Sequence, residues 1–81
     1  MLTIVVVDDQ LDFRLIVRAL LRGVADLAII VGEAADGDEA LALVRRTRPD
    51  ILISDLIMPG LNGVELARRV RAELPQTRTI L

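Results

Sequence analysis

The sequence predicts an α/β domain built on one open parallel sheet with helices on both faces. Three observations carry that expectation. Short apolar runs rich in β-branched residues alternate with amphipathic segments of helical period; Gly, Pro or Asp turns separate them; and the apolar runs lack the two-residue alternation of half-solvated antiparallel strands. Strict strand and helix alternation requires right-handed crossovers, which place helices on the two faces of a parallel sheet.

Leu2 to Val7 reads as the first strand, covered on both faces. From Leu11 to Arg22 the period becomes helical, with Phe13, Ile16, Val17, Leu20 and Leu21 on one apolar stripe and Gly23 suited to the helix end. Leu27 to Val31 repeats the buried-strand signature. Asp36-Gly37-Asp38 then opens a second helix that turns Ala40, Leu41 and Val44 inward and carries Arg45 and Arg46 near its C-terminus, where the helix dipole favours cations. Pro49 stops this helix, and Ile51 to Ile53 form a third strand ending at Ser54-Asp55. After Pro59-Gly60, Asn62 is the expected N-cap of a third helix from about Gly63 to Leu74, with Val64, Ala67, Val70 and Leu74 on its inner side. Pro75 closes it, and Thr77 to Leu81 begin a fourth strand. No linker, repeat or low-complexity stretch interrupts residues 1–81, so a single domain is expected.

Composition narrows the function. With 53% hydrophobic and 27% charged residues the chain is a packed globular protein. A net charge of −2 and a single aromatic, Phe13, argue against direct nucleic-acid binding and against a membrane surface. The chain has no cysteine and no histidine, so a metal must be held by oxygen. Leu2–Val7 is too short for a signal peptide or a membrane span and runs into acids, which makes a cytoplasmic location the expectation.

Two strand ends carry carboxylates: Asp8-Asp9 after the first run and Asp55 after the third. In open α/β sheets ligands bind beyond the carboxyl ends of the strands, at the switch in strand order. Capping and turn formation account for each acid singly, but not for acids on the same rim. Carboxylates a few Å apart repel by roughly 1 to 4 kcal/mol per pair at effective dielectrics of 80 to 20, a cost that a cation removes. Mg2+ suits one or two carboxylates, a carbonyl and several waters. A carboxylate beside it can attack phosphorus, and Asp55, alone at its strand end, is the better nucleophile candidate.

In these residues the chain resembles the receiver (CheY-like) domains of two-component response regulators. The resemblance rests on Val5-Val6-Val7-Asp8-Asp9, Gly32-Glu33-Ala34 with Asp36-Gly37, Pro49-Asp50-Ile51-Leu52-Ile53-Ser54-Asp55, and Met58-Pro59-Gly60 with Asn62-Gly63, in that order and spacing. It implies a flavodoxin-like fold, with Asp55 the phosphoacceptor, Asp8 and Asp9 the acidic pair serving Mg2+, and Ile57 the donor of a backbone carbonyl to the ion. A sensor histidine kinase would supply the phosphoryl group, and the domain would not be a turnover enzyme.

The resemblance also sets departures. Receivers of this family continue through a fourth helix, a fifth strand and a fifth helix, whereas this sequence ends at Leu81 and reads as truncated. The family's switch Ser or Thr would lie just beyond Leu81; Thr77 and Thr79 fall too early for it. The phosphate-contacting lysine has no counterpart, since all ten basic residues are arginine. Slow phosphorylation or poor switching is therefore expected. An uncovered sheet face and an open fourth-strand edge favour self-association, expected to give a homodimer. The alternative function is a phosphorylation-independent interaction module on the receiver scaffold. Aspartate-nucleophile phosphatases would want Asp-x-Asp after the first strand, and Gln10 stands in the third place. The arginines of the helices, among them Arg14, Arg18, Arg45, Arg46, Arg68, Arg69 and Arg71, read as solvated faces.

Overall fold

A computed structural model describes residues 1–81. Four strands and three helices alternate: β1 (Leu2–Val7), α1 (Leu11–Arg22), β2 (Ala28–Ala34), α2 (Gly37–Thr47), β3 (Ile51–Ser54), α3 (Gly63–Glu73) and β4 (Arg78–Ile80). All strand pairs are parallel and the sheet order is β2-β1-β3-β4. The order reverses between β1 and β3, so the switch point lies where the first and third strands end.

The main core lies between the sheet and the α2/α3 layer. Val5, Val7 and Leu52 from the strands meet Ala40, Leu41, Leu43 and Val44 of α2 and Leu66 and Val70 of α3. The inward face of α2 is the expected one, with Leu43 added. That of α3 differs from expectation: Gly63, Leu66 and Val70 are buried, Ala67 is half-buried and Val64 is exposed. Leu66 decides the helix rotation, because the β3–α3 loop brings Gly63 against the backbone and spacings of three and four from there select Leu66 and Val70.

The opposite face is thinner. Ile4, Val6 and Ala28 are buried there, with Val17 and Leu21 of α1 and Ile51 and Ile53 of β3 packed partly around them. No residue of α1 is fully buried. Of the expected apolar stripe only Val17 and Leu21 meet the sheet, while Phe13, Ile16 and Leu20 stay exposed.

β2 extends three residues past the expected end and is an edge strand, half-exposed where full burial was expected. The β1–β2 register shifts between Ile4 and Val5, leaving Val31 as an extra residue, a bulge of the kind that blunts an edge. Gly32 follows because a Cβ there would stand 2.7 Å from the Leu43 side chain. α1 ends at Gly23 as expected, but with right-handed dihedrals (φ −68°, ψ −15°), so the left-handed cap the glycine suggested is not used. It is Arg48, after α2, that adopts the left-handed conformation at φ 47°.

Candidate functional site

Hydrogen bonding carries the ladders one residue beyond the strands. Val7 pairs with Ser54 across β1 and β3, the Asp55 N–H donates to the Val7 carbonyl at 3.2 Å, and the Asp8 N–H donates to the Ala34 carbonyl at 3.1 Å. The two aspartates are thus consecutive on a common rim. Carboxylate oxygens of Asp8, Asp9 and Asp55 all lie within 4.8 Å of one another. Asp8 is buried with 6% exposure, Asp55 half-buried and Asp9 exposed.

Each acid has a local cause. Asp8 Oδ1 accepts the Gln10 N–H at 2.8 Å, which folds the chain after β1 immediately before α1 begins at Leu11. The N-cap of α1 is Gln10, with no side-chain cap, so Asp9 is left free of the capping role. Asp55 is held through its backbone: its carbonyl accepts the Ser54 hydroxyl at 2.9 Å, and Gly63 packs so closely that a Cβ would stand 1.9 Å from the same carbonyl. The Gly63 N–H donates to the Leu56 carbonyl at 2.9 Å. Asn62 caps α3 by accepting the Glu65 N–H at 2.9 Å, as expected from the sequence. Between these anchors Met58 is buried in the core, whereas the Ile57 side chain is 83% exposed beside the acids.

No arginine forms an ion pair with any of the three acids. Arg14 and Arg18 of α1 both engage Glu33, Arg45 pairs with Glu73 at 2.8 Å, and Arg68 and Arg69 pair with Glu65 at 3.3 Å. The helix arginines are solvated as expected, with surface ion pairs at several of them, except Arg14, which is half-buried. The Arg14–Glu33 pair, at 3.7 Å, is an ion pair without a hydrogen bond, and the Arg14 Nε and Glu33 Oε1 atoms are buried without a hydrogen-bond partner. Arg14 and Arg18, four apart on α1, lie on one helix face and so reach the same carboxylate. Thr77 lies at the other end of the sheet, its hydroxyl donating to the Pro49 carbonyl at 2.6 Å, and Thr79 pairs with Leu52 in mid-strand. Neither is near the acids.

The donor set fits a hard divalent cation. It offers oxygen alone, three carboxylates converge without a neutralising side chain, and one of them is buried. Of the four residues expected at the site, the three aspartates are brought together, and Ile57 lies two residues after Asp55 on the adjoining loop.

A parallel sheet of order β2-β1-β3-β4 with acids at its switch point defines the class of open, doubly wound α/β domains, whose ligands bind beyond the carboxyl ends of the strands. Within it, this chain belongs to the response regulator receiver domain family, which matches residues 4–81. It is 41% identical over 76 residues to protein-glutamate methylesterase/protein-glutamine glutaminase 4 of Geobacter metallireducens, a match that covers 93% of this chain and 21% of that protein. It is 39% identical over 70 residues to the DNA-binding response regulator MtrA of Mycolicibacterium paratuberculosis, covering 86% of this chain and 30% of the other. Among solved structures, the REC domain of AraT from Geobacillus stearothermophilus superposes with a TM-score of 0.86 at 33% identity over 96% of this chain and 64% of that one. The response regulator domain of Thermotoga maritima CheB does so with 0.88 at 30% identity, covering 98% and 57%. The chain thus spans about a fifth to a third of these curated relatives and about three fifths of the solved receiver chains. The expected fold, CheY-like and flavodoxin-like, is the observed one. No helix is long and apolar enough to cross a membrane.

Proposed function

We propose that the domain accepts a phosphoryl group on Asp55 from a sensor histidine kinase, with Mg2+ held by the carboxylates of Asp8, Asp9 and Asp55 and by the backbone carbonyl of Ile57. The carrying observation is the convergence of the three carboxylates within 4.8 Å on a rim otherwise free of charge partners. In the reaction an Asp55 oxygen attacks phosphorus, the N–P bond of the phosphohistidine breaks, and the imidazole leaves with the bonding pair. Bound Mg2+ would supply charge neutralisation for the phosphoryl oxygens. Asp8 and Asp9 hold negative charge at the rim, while the bond from the Asp55 N–H to the Val7 carbonyl and the close packing of Gly63 against the Asp55 carbonyl fix the backbone that carries the Asp55 carboxylate. As a regulator it would work in the cytoplasm and turn over no substrate of its own.

Intact mass after incubation with a small-molecule phosphodonor and Mg2+ tests this. The parent should gain one phosphoryl group and Asp55→Asn none. Folded parent that gains nothing refutes phosphoacceptance.

A second reading is a phosphorylation-independent module that pairs with a second copy of itself. The exposure of Phe13, Ile16 and Leu20 on α1 and of Ile80 on β4 favours it, and the open β4 edge offers an additional pairing surface. A monodisperse monomer by light scattering at high concentration refutes it.

A further inference from the structure

The β3–α3 loop, residues 55–62, carries Asp55 and Ile57 and is fixed at both ends. At its C-terminal end Gly63 closes on the Asp55 carbonyl. Near Leu61 the loop rests on the first turn of α2, a contact that phosphoacceptance alone does not call for. A Cβ on Gly37 would stand 1.9 Å from the Leu61 carbonyl oxygen, so the two backbones touch with no room for any side chain. One residue on, Asp38 Oδ2 accepts the Leu61 N–H at 3.4 Å, and a Cβ on Gly60 would lie 2.8 Å from the same oxygen. Gly60, at φ 73°, is in the left-handed region where glycine costs least.

This turn of α2 is itself firmly set. Asp36 accepts the Glu39 N–H at 2.8 Å, and Glu39 reaches back to accept the Ala35 N–H at 3.3 Å, a reciprocal lock of the capping-box type. Ala34, immediately before it, accepts the Asp8 N–H. The same short segment, residues 34–39, therefore holds Asp8 through Ala34 and the Asp55 loop through Gly37 and Asp38. The two halves of the acidic rim share one support.

We infer that the first turn of α2 sets the metal affinity of the three-aspartate site: Gly37, by admitting the Leu61 backbone, and Asp38, by binding the Leu61 N–H, are positioning residues for the loop that carries Asp55 and Ile57. This rests on the metal reading above. It also explains why the glycine of Asp36-Gly37-Asp38 is needed inside a helical turn, where glycine otherwise destabilises.

The test is calorimetric titration of Mg2+ into the 81-residue chain, with unfolding in chelator measured on each variant. Gly37→Ala should weaken Mg2+ binding tenfold or more. Asp38→Ala should weaken it about fivefold, whereas Asp38→Asn, which keeps an oxygen for the Leu61 N–H, should stay within twofold of the parent. Gly23→Ala, whose Cβ would meet nothing closer than the Leu20 carbonyl at 3.5 Å, is the control that should not change affinity. A merely structural role would lower the unfolding midpoint in chelator without the rescue by asparagine. Should Gly37→Ala fail to fold, the Asp38 pair decides. Binding within twofold of the parent by Asp38→Ala overturns the inference, as does an Asp38→Asn variant as weak as Asp38→Ala, since charge at a distance would then be the cause. A parent that binds no Mg2+ overturns the metal reading itself, a result distinct from both.

Discussion

Val7 and Ser54 stand opposite one another in the parallel β1–β3 ladder, and the next residue on each strand is an aspartate. The register of two apolar strands thereby fixes the distance between two charges. A shift of one residue would turn every side chain of one strand to the other face and separate the acids, so the hydrophobic core selects the geometry of the rim.

The crowding of carboxylates predicts a stability signature. In chelator, Asp55→Asn should be more stable than the parent by about 1–2 kcal/mol, because one partner in the repulsion is removed at effective dielectrics between 20 and 80. Mg2+ at ten times its dissociation constant should stabilise the parent by about 1.4 kcal/mol and the variant by much less. Urea unfolding with and without the metal measures both. A variant less stable than the parent in chelator would mean that the carboxylates are not in conflict.

Glycine and arginine occupy each other's preferred conformations at the two helix ends. Gly23 is right-handed with φ −68°, where alanine fits, so Gly23→Ala should stabilise by about 0.5–1 kcal/mol through the unfolded chain. Arg48 at φ 47° bears the left-handed cost, and Arg48→Gly should gain up to about 1 kcal/mol. Gly63→Ala should lose about 1–3 kcal/mol or more, because its Cβ meets the Asp55 carbonyl. Thermal unfolding of the three variants should order them accordingly.

Much of this was legible in the chain. The alternation of runs gave all seven elements, Asn62 announced α3, and the acids at the ends of β1 and β3 announced the site, because strand direction and topology place carboxyl ends together. What could not be read was set by tertiary contact. Leu66 outranks Val64 because the Gly63 backbone contact rotates α3. β2 looks like a buried strand in sequence, yet its place in the sheet order makes it an edge. Phe13 and Leu20 complete a helical stripe, but a stripe is buried only where an element lies against it.

At the end of the sheet opposite the acids, Asp50 joins β3 to β1. Its carboxylate accepts the Thr3 N–H at 2.8 Å and the Thr3 hydroxyl at 3.1 Å, and these bonds, the backbone one first, hold its pKa below the ordinary carboxylate range. A lowered folded pKa means that the contribution is present above the unfolded value and lost as pH falls through the folded one. The bond to Arg45 acts in the same direction on Glu73. Unfolding midpoints should therefore fall below about pH 4, and Asp50→Asn should flatten that fall. An unchanged pH profile in Asp50→Asn would remove Asp50 from the account.

The two faces of the sheet should respond oppositely to substitution. Leu66 is fully buried between α3 and the sheet, so Leu66→Ala should cost about 2–5 kcal/mol from lost transfer energy and the cavity left behind. Leu20 is also a leucine on an amphipathic helix, but it is 71% exposed, and Leu20→Arg should change stability by no more than about 0.5 kcal/mol. Its effect should fall on association instead. If the flank formed by Phe13, Ile16 and Leu20 is where copies meet, a charge there leaves an unpaired guanidinium in the contact, and light scattering should show a smaller assembly than for the parent. A parent that associates and a Leu20→Arg variant that associates equally would move the contact to the β4 edge, where Ile80 and the unpaired backbone of Arg78–Ile80 remain exposed.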